Sequence, residues 1–171
     1  MGLRKRDTQR GRVYIAERAA FESDKHGSGD NQLSIGKSYE TLRGKRNRVK
    51  EIVSSKWWRD KSCATSVQVR HFDKQLGGGE AYPSLILMGI RENREWVLIH
   101  ELSHVLMVTA RFSYFMKMRI PAVPSEGRSH GRAFCRIFLA MVRRFIGIDA
   151  YNALRLSFKH NNVKFSRSAA D

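Results

Sequence analysis

The chain has 171 residues, and 42% of them are hydrophobic, enough to bury a core and too many for a disordered polymer. No apolar run approaches the ~20 residues that cross a bilayer, and two cysteines, Cys63 and Cys135, are too few for a disulfide framework. Thirty-two Lys and Arg against 16 Asp and Glu leave a net charge of +16, which favours polyanionic partners through counterion release.

The basic excess lies toward both ends, while residues 63–99 are charge-balanced. The basic opening Met1–Asp7 is followed by no apolar stretch of the secretory type, and Arg at position 6 breaks the myristoylation pattern that Gly2 begins. A reducing cytoplasm is the expected compartment, with no membrane partner. The sequence does not specify an oligomeric state.

In chain order, residues 7–22 predict a helix capped by Asp7 or Thr8, with Val13, Ala16, Ala20 and Phe21 near one face. His26–Asn31 is a Gly- and Ser-rich loop, and Leu33–Leu42 suggests a short irregular hairpin. Lys45–Trp58 places Val49, Ile52, Val53 and Trp57 at helical spacing. Thr65–Phe72 alternates Val67 and Val69 with polar residues, the pattern of a half-buried strand. Gly77–Gly79 reads as a flexible turn and Ser84–Met88 as a deeply buried strand. Asn93–Thr109 is the strongest helix. A loop with Pro121, Pro124 and Gly127 follows, then a helix over Gly131–Ile146 and a last one from an Asp149 cap to about Lys159. Residues 1–165 are expected to form one domain, with 166–171 a short tail.

His100, Glu101, Leu102, Ser103 and His104 form H-E-x-x-H inside the strongest helix. Four residues advance a helix by about 6 Å and 40°, so both imidazoles leave one face and can grip a single ion. Zinc takes such nitrogens at about 2.0–2.1 Å. Glu101 follows the first ligand and stands where it can take a proton from a water acidified by the metal. Burying two histidines and a glutamate in an apolar helix without a partner is costly, which argues against a chance match. A catalytic zinc usually has three protein ligands. The extended pattern with glycine at 107 and histidine at 110 is broken by Met107 and Ala110. Two candidates for the third ligand remain: His130, beside Gly131 at the start of a helix, and Glu126 in the preceding loop.

H-E-L-S-H followed by Ser129-His130-Gly131-Arg132-Ala133-Phe134 resembles the SprT-like (Spartan-type) zinc metalloproteases, in which an H-G-x-x-F or H-G-x-x-W segment follows the first motif. The resemblance implies His130 as third ligand and a minimal zincin-like α+β domain, a small mixed sheet packed on the H-E-x-x-H helix with additional helices. It also implies one Zn2+ ion and a peptide or protein substrate. In such folds an edge strand can hold an extended peptide, and Ser84–Met88 is the expected edge. Arg6–Glu17, Ala153–Arg155 and Val163–Lys164 also resemble a group of actinobacterial and phage metallohydrolases, a likeness that names no substrate. Arg132 stands where Spartan-like proteins often have proline, and the segment between His104 and His130 is longer than theirs.

Arg43, Lys45, Arg46, Arg48 and Lys50 crowd one short stretch. A run of this kind is usually a solvated helix face, but the net charge makes it a candidate for non-specific nucleic-acid contact. Three functions compete: a zinc hydrolase acting on peptides, a basic nucleic-acid-binding protein with a structural zinc, and a zinc hydrolase with a non-peptide substrate. Glu101 favours the hydrolases, because a structural site needs no base.

Overall fold

The computed structural model of the chain describes residues 9–22, 36–72, 77–111 and 130–165. The elements in order are α1 (Arg10–Phe21), α2 (Leu42–Ser54), α3 (Lys56–Arg59), β1 (Gln68–Phe72), β2 (Gly79–Tyr82), β3 (Leu85–Gly89), α4 (Glu95–Thr109), α5 (Arg132–Phe145) and α6 (Ile148–His160). The protein is thus α+β, with six helices and one three-stranded sheet among the described residues. Two compact units emerge: one from residues 36–122, the other from 1–35 with 123–171. Among the described residues no helix is long and apolar enough to cross a membrane.

The first unit carries the sheet, in the order β1-β3-β2. β1 runs parallel to β3, pairing Val69 with Ile86 and His71 with Met88, and β2 runs antiparallel to it, pairing Gly79 with Met88 and Ala81 with Ile86. Paired residues share a face, so Val69, Ile86 and Met88, all buried, line one side of the sheet. Helix α2 packs on β1, and α4 packs on β2 and β3.

Two expectations fail here. Gly79 is not part of a loose turn but the first residue of β2, a strand the sequence reading did not foresee. And the apolar segment at Leu85 is the central strand, not an edge. Leu85-Ile86-Leu87-Met88 is apolar on both faces and takes a neighbour on each side, whereas β2 alternates half-buried Gly79 and Ala81 with exposed Glu80 and Tyr82, as an edge does.

The single helix expected over Lys45–Trp58 is broken at Ser55, whose backbone is extended (φ −67°, ψ 148°). The Ser55 hydroxyl donates to the Ile52 carbonyl at 2.6 Å, and its oxygen accepts from the Trp58 amide at 3.2 Å, capping α3. The break shifts the helical phase. Trp58, not Trp57, becomes fully buried, and its indole N–H donates to the Ala64 carbonyl at 2.8 Å. At the start of α4, buried Glu95 accepts from the Lys37 amide (2.7 Å), the Tyr39 hydroxyl (3.3 Å) and the Arg48 guanidinium (2.7 Å). These bonds stitch residues 36–40 to the helix, and the described part of the expected Leu33–Leu42 hairpin forms only an isolated bridge, Ser38 to Arg94. Burial and the Glu95 carboxylate push the Tyr39 phenol up to about 12.

The second unit is helical. α6 packs against both α1 and α5, and Phe134, Phe138 and Phe158 run through its core with successive ring centroids 5.8 and 6.5 Å apart. The Ser157 hydroxyl donates to the Ala16 carbonyl at 2.8 Å, using a small side chain where α6 meets α1. Gly147, at φ 142°, separates α5 from α6 and takes the capping position expected of Asp149, which sits instead in the first turn, where a carboxylate favours the helix dipole. Asp7, Thr8, the His26–Asn31 loop, the loop with Pro121, Pro124 and Gly127, and the 166–171 tail lie outside the described residues.

Candidate metal centre

Helix α4 has no polar face. Every residue from Glu95 to Met107 except His104 is buried, so the helix is a core element rather than an amphipathic cover. His100 and His104 project from one side of it, His100 buried and His104 half-buried. Their Nε2 atoms face each other at 3.2 Å, with ring centroids 4.9 Å apart and planes at 65°. Two nitrogens bound to one tetrahedral ion at about 2.05 Å stand roughly 3.3 Å apart, so the observed pair has the spacing of a chelate.

His130 lies two residues before α5, next to its cap Gly131, and is also buried. Its ring meets Tyr14 and Phe134 edge-on, at centroid distances of 5.1 and 4.9 Å. Its carbonyl accepts from the Gln9 side-chain amide at 2.8 Å. The same amide group reaches Lys164, donating to its carbonyl at 3.2 Å and accepting from its backbone N–H at 2.8 Å. Gln9 is therefore not a solvent-facing helix cap but a buried hub that fixes the backbone carrying His130. No motif marks it; its position just ahead of α1 is the only hint the sequence offers.

Among the described residues, one set of histidines, cysteines or carboxylates is gathered closely enough to hold a metal ion. It comprises His100, His104 and His130, each offering one ring nitrogen, all within 4.8 Å of one another. The rival third ligand, Glu126, lies outside the described residues.

Glu101 is buried on α4 between the first two histidines. Strand β2 crosses directly over it: a Cβ built on Gly79 would come within 2.8 Å of Glu101 Cγ and 3.0 Å of its Oε1. Only glycine permits this approach, which is the physical reason for Gly79. Pairing parity then sets what β2 shows to its open side. The Gly89 amide donates to the Gly78 carbonyl at 2.9 Å, so Glu80 and Tyr82 turn their backbone groups toward β3, while Gly79 and Ala81 turn theirs outward. Beside the His100–His104 pair, the sheet-bearing unit thus sets a buried carboxylate and the outer edge of β2, which pairs with no further strand among the described residues.

The five basic residues of α2 differ in exposure. Lys45 is fully buried, and Arg48 is engaged by Glu51 and Glu95 at 2.6 and 2.7 Å. Arg43, Arg46 and Lys50 are exposed, although the Arg46 Nε–H donates to the Val69 carbonyl at 3.0 Å. Compared with known proteins, the chain matches no family model, no curated protein and no solved structure.

Proposed function

We propose that the chain is a zinc-dependent hydrolase of zincin-like design acting on peptides, with His100, His104 and His130 as ligands and Glu101 as general base. The gathering of three ring nitrogens within 4.8 Å carries this reading. An all-imidazole donor set suits zinc and disfavours the hard, oxygen-seeking Ca2+ and Mg2+. Three protein ligands leave the fourth position that catalysis needs. The SprT-like motif pair at His100–His104 and His130–Phe134 supports the same assignment.

When bound, zinc supplies Lewis acidity and lowers the pKa of a water molecule to about 7. The chain does the rest. The Glu101 carboxylate takes the proton of the attacking water and returns it to the leaving amine nitrogen. Its burial keeps it out of bulk solvent. The outward N–H and C=O groups of Gly79 and Ala81 hold an extended peptide as an added strand, so main-chain pairing provides the affinity. On this reading the substrate edge is β2, not the Leu85 strand.

The test is Glu101→Gln, assayed with zinc analysis and casein as the probe substrate. The variant keeps about one zinc per chain and loses about 100-fold or more of its turnover, the usual worth of a general base. Parental activity in Glu101→Gln overturns the mechanism, and a parent chain that binds no zinc overturns the site. A second partner rests on charge: Arg43, Arg46 and Lys50 on the surface of a chain of net charge +16 suit non-specific contact with nucleic-acid phosphates, read out as affinity falling steeply with salt.

A further inference from the structure

A second group of buried charges lies in the sheet-bearing unit, around Glu92 and Lys45. Glu92 is 1% exposed, as is Lys45. One Glu92 oxygen accepts from the backbone N–H and the Nε–H of Arg94 at 3.2 and 2.7 Å. The other accepts from the Arg94 Nη2 and from the Gly78 amide, the latter at 3.1 Å. The Lys45 ammonium is buried with no hydrogen-bond partner among the described residues. Burial lowers its pKa, and Glu92 is the charge that opposes the shift. A buried ammonium costs several kcal/mol unless an opposite charge stands near, and Glu92, itself paired with Arg94, is the charge that favours the Lys45 ammonium.

Gly78 is where this cluster meets the site. Its φ of 74° is left-handed and admits glycine readily. Its N–H goes to Glu92, its carbonyl accepts from Gly89, and the next residue is Gly79, which lies on Glu101. Gly89 and Gly77 also touch backbone to backbone: a Cβ on Gly89 would come within 2.7 Å of Gly77 Cα. The entry to β2 is therefore held on one side by a glycine pair and on the other by a buried carboxylate.

We propose that Glu92, balanced by Lys45 and Arg94, is a positioning residue that clamps Gly78 and so sets where the β2 edge and the Glu101 carboxylate stand. It touches neither metal ligands nor substrate. It acts through the Gly78 amide, and its consequence for catalysis rests on the hydrolase reading above.

The experiment compares the full parent chain with Glu92→Ala, Glu92→Gln and the double variant Lys45→Met/Glu92→Gln, without substrate. Amide hydrogen exchange is read at Gly78 and Gly89, with Val49 and Ile52 of α2 as controls. In Glu92→Ala the two glycine amides exchange about tenfold faster or more, the factor expected for a lost bond to a charged acceptor, while the controls keep parental rates. The Glu101 carboxyl-carbon resonance, assigned by its loss in Glu101→Gln, shifts in the same variant. In the double variant, Gln retains the acceptor and no buried charge is left unbalanced, so Gly78 protection and the Glu101 resonance return close to the parent's. If Glu92→Ala does not fold, the double variant and Glu92→Gln decide. The clamp requires the double variant to protect Gly78 better than Glu92→Gln, which leaves Lys45 unbalanced. Unchanged glycine exchange in Glu92→Ala, equal acceleration of glycines and controls, or no gain in the double variant over Glu92→Gln overturns the proposal. Zinc content of the parent is measured separately: a parent without zinc sinks the hydrolase reading, while the Gly78 rates still decide the clamp.

Discussion

Helices α4 and α5 carry their metal-ligand candidates by opposite means. α4 is buried around nearly its whole circumference, so His100 and His104 inherit their positions from core packing and from the four-residue helical repeat. α5 buries one side, with Phe134, Ile137, Phe138, Met141 and Val142, and keeps Arg132, Arg143 and Arg144 exposed. His130 lies just before its first turn, so its place depends on local bonds, chiefly Gln9 to its carbonyl and the flanking rings of Tyr14 and Phe134. A pair of ligands on one rigid helix is a fixed chelate, and a ligand on a helix entry is only as well placed as the groups that brace it.

That contrast can be broken at its strongest point first. His104→Ala removes half of the chelate and is expected to drop zinc below about 0.1 per chain with complete loss of hydrolysis, since no two remaining imidazoles share one helix. His130→Ala leaves the α4 pair intact and is expected to retain weak, exchangeable zinc. Titration with a chromophoric chelator separates the two, and equal affinities would erase the distinction drawn here. Gly79→Ala forces a methyl onto the Glu101 carboxylate. Zinc content should stay parental while casein hydrolysis falls about tenfold or more, because a misplaced base costs rate and not metal. Gln9→Ala acts on the braced ligand alone. Losing a buried hydrogen bond worth about 1 kcal/mol should weaken zinc affinity roughly fivefold, visible by the same chelator competition.

The smallest effect is a pH dependence remote from the metal. Tyr39 is held protonated up to about 12 by burial and by Glu95. Its folded pKa lies above the unfolded value of about 10, so its contribution is fully present below pH 10 and is lost as pH rises from 10 toward 12. Tyr39→Phe should flatten the loss of thermal stability across that window, measured as Tm against pH.

The amino-acid order made α4 and the shared face of His100 and His104 easy to read, because helical spacing and a motif coincide there. The helices around Val13, Val49 and Phe138 followed from periodicity in the same way, and the α+β class from the resemblance carried by the two histidine motifs. What escaped had no periodic signature. Ser55 splits a helix through one hydroxyl, with nothing in the hydrophobic pattern to announce it. β2 is four residues long and opens on glycines, so its strand character comes from pairing with β3 rather than from its own composition. The edge was assigned to Leu85 because apolar strands stand out, yet an edge exposed to water is better made of a weaker, mixed sequence. Gln9 and Glu92 serve through buried side-chain bonds to distant backbone, a relation that spacing along a chain does not encode.

The Gln9 hub also ties two remote stretches of sequence to a single candidate ligand. Its amide group bonds the backbone of Lys164 and of His130 at once. Serial deletion from the C-terminal side would therefore disturb metal retention once Lys164 is removed, although that residue is far from every imidazole in sequence. A scan for residues that weaken zinc binding should find such a position at the foot of α6, well before it reaches the ligands themselves.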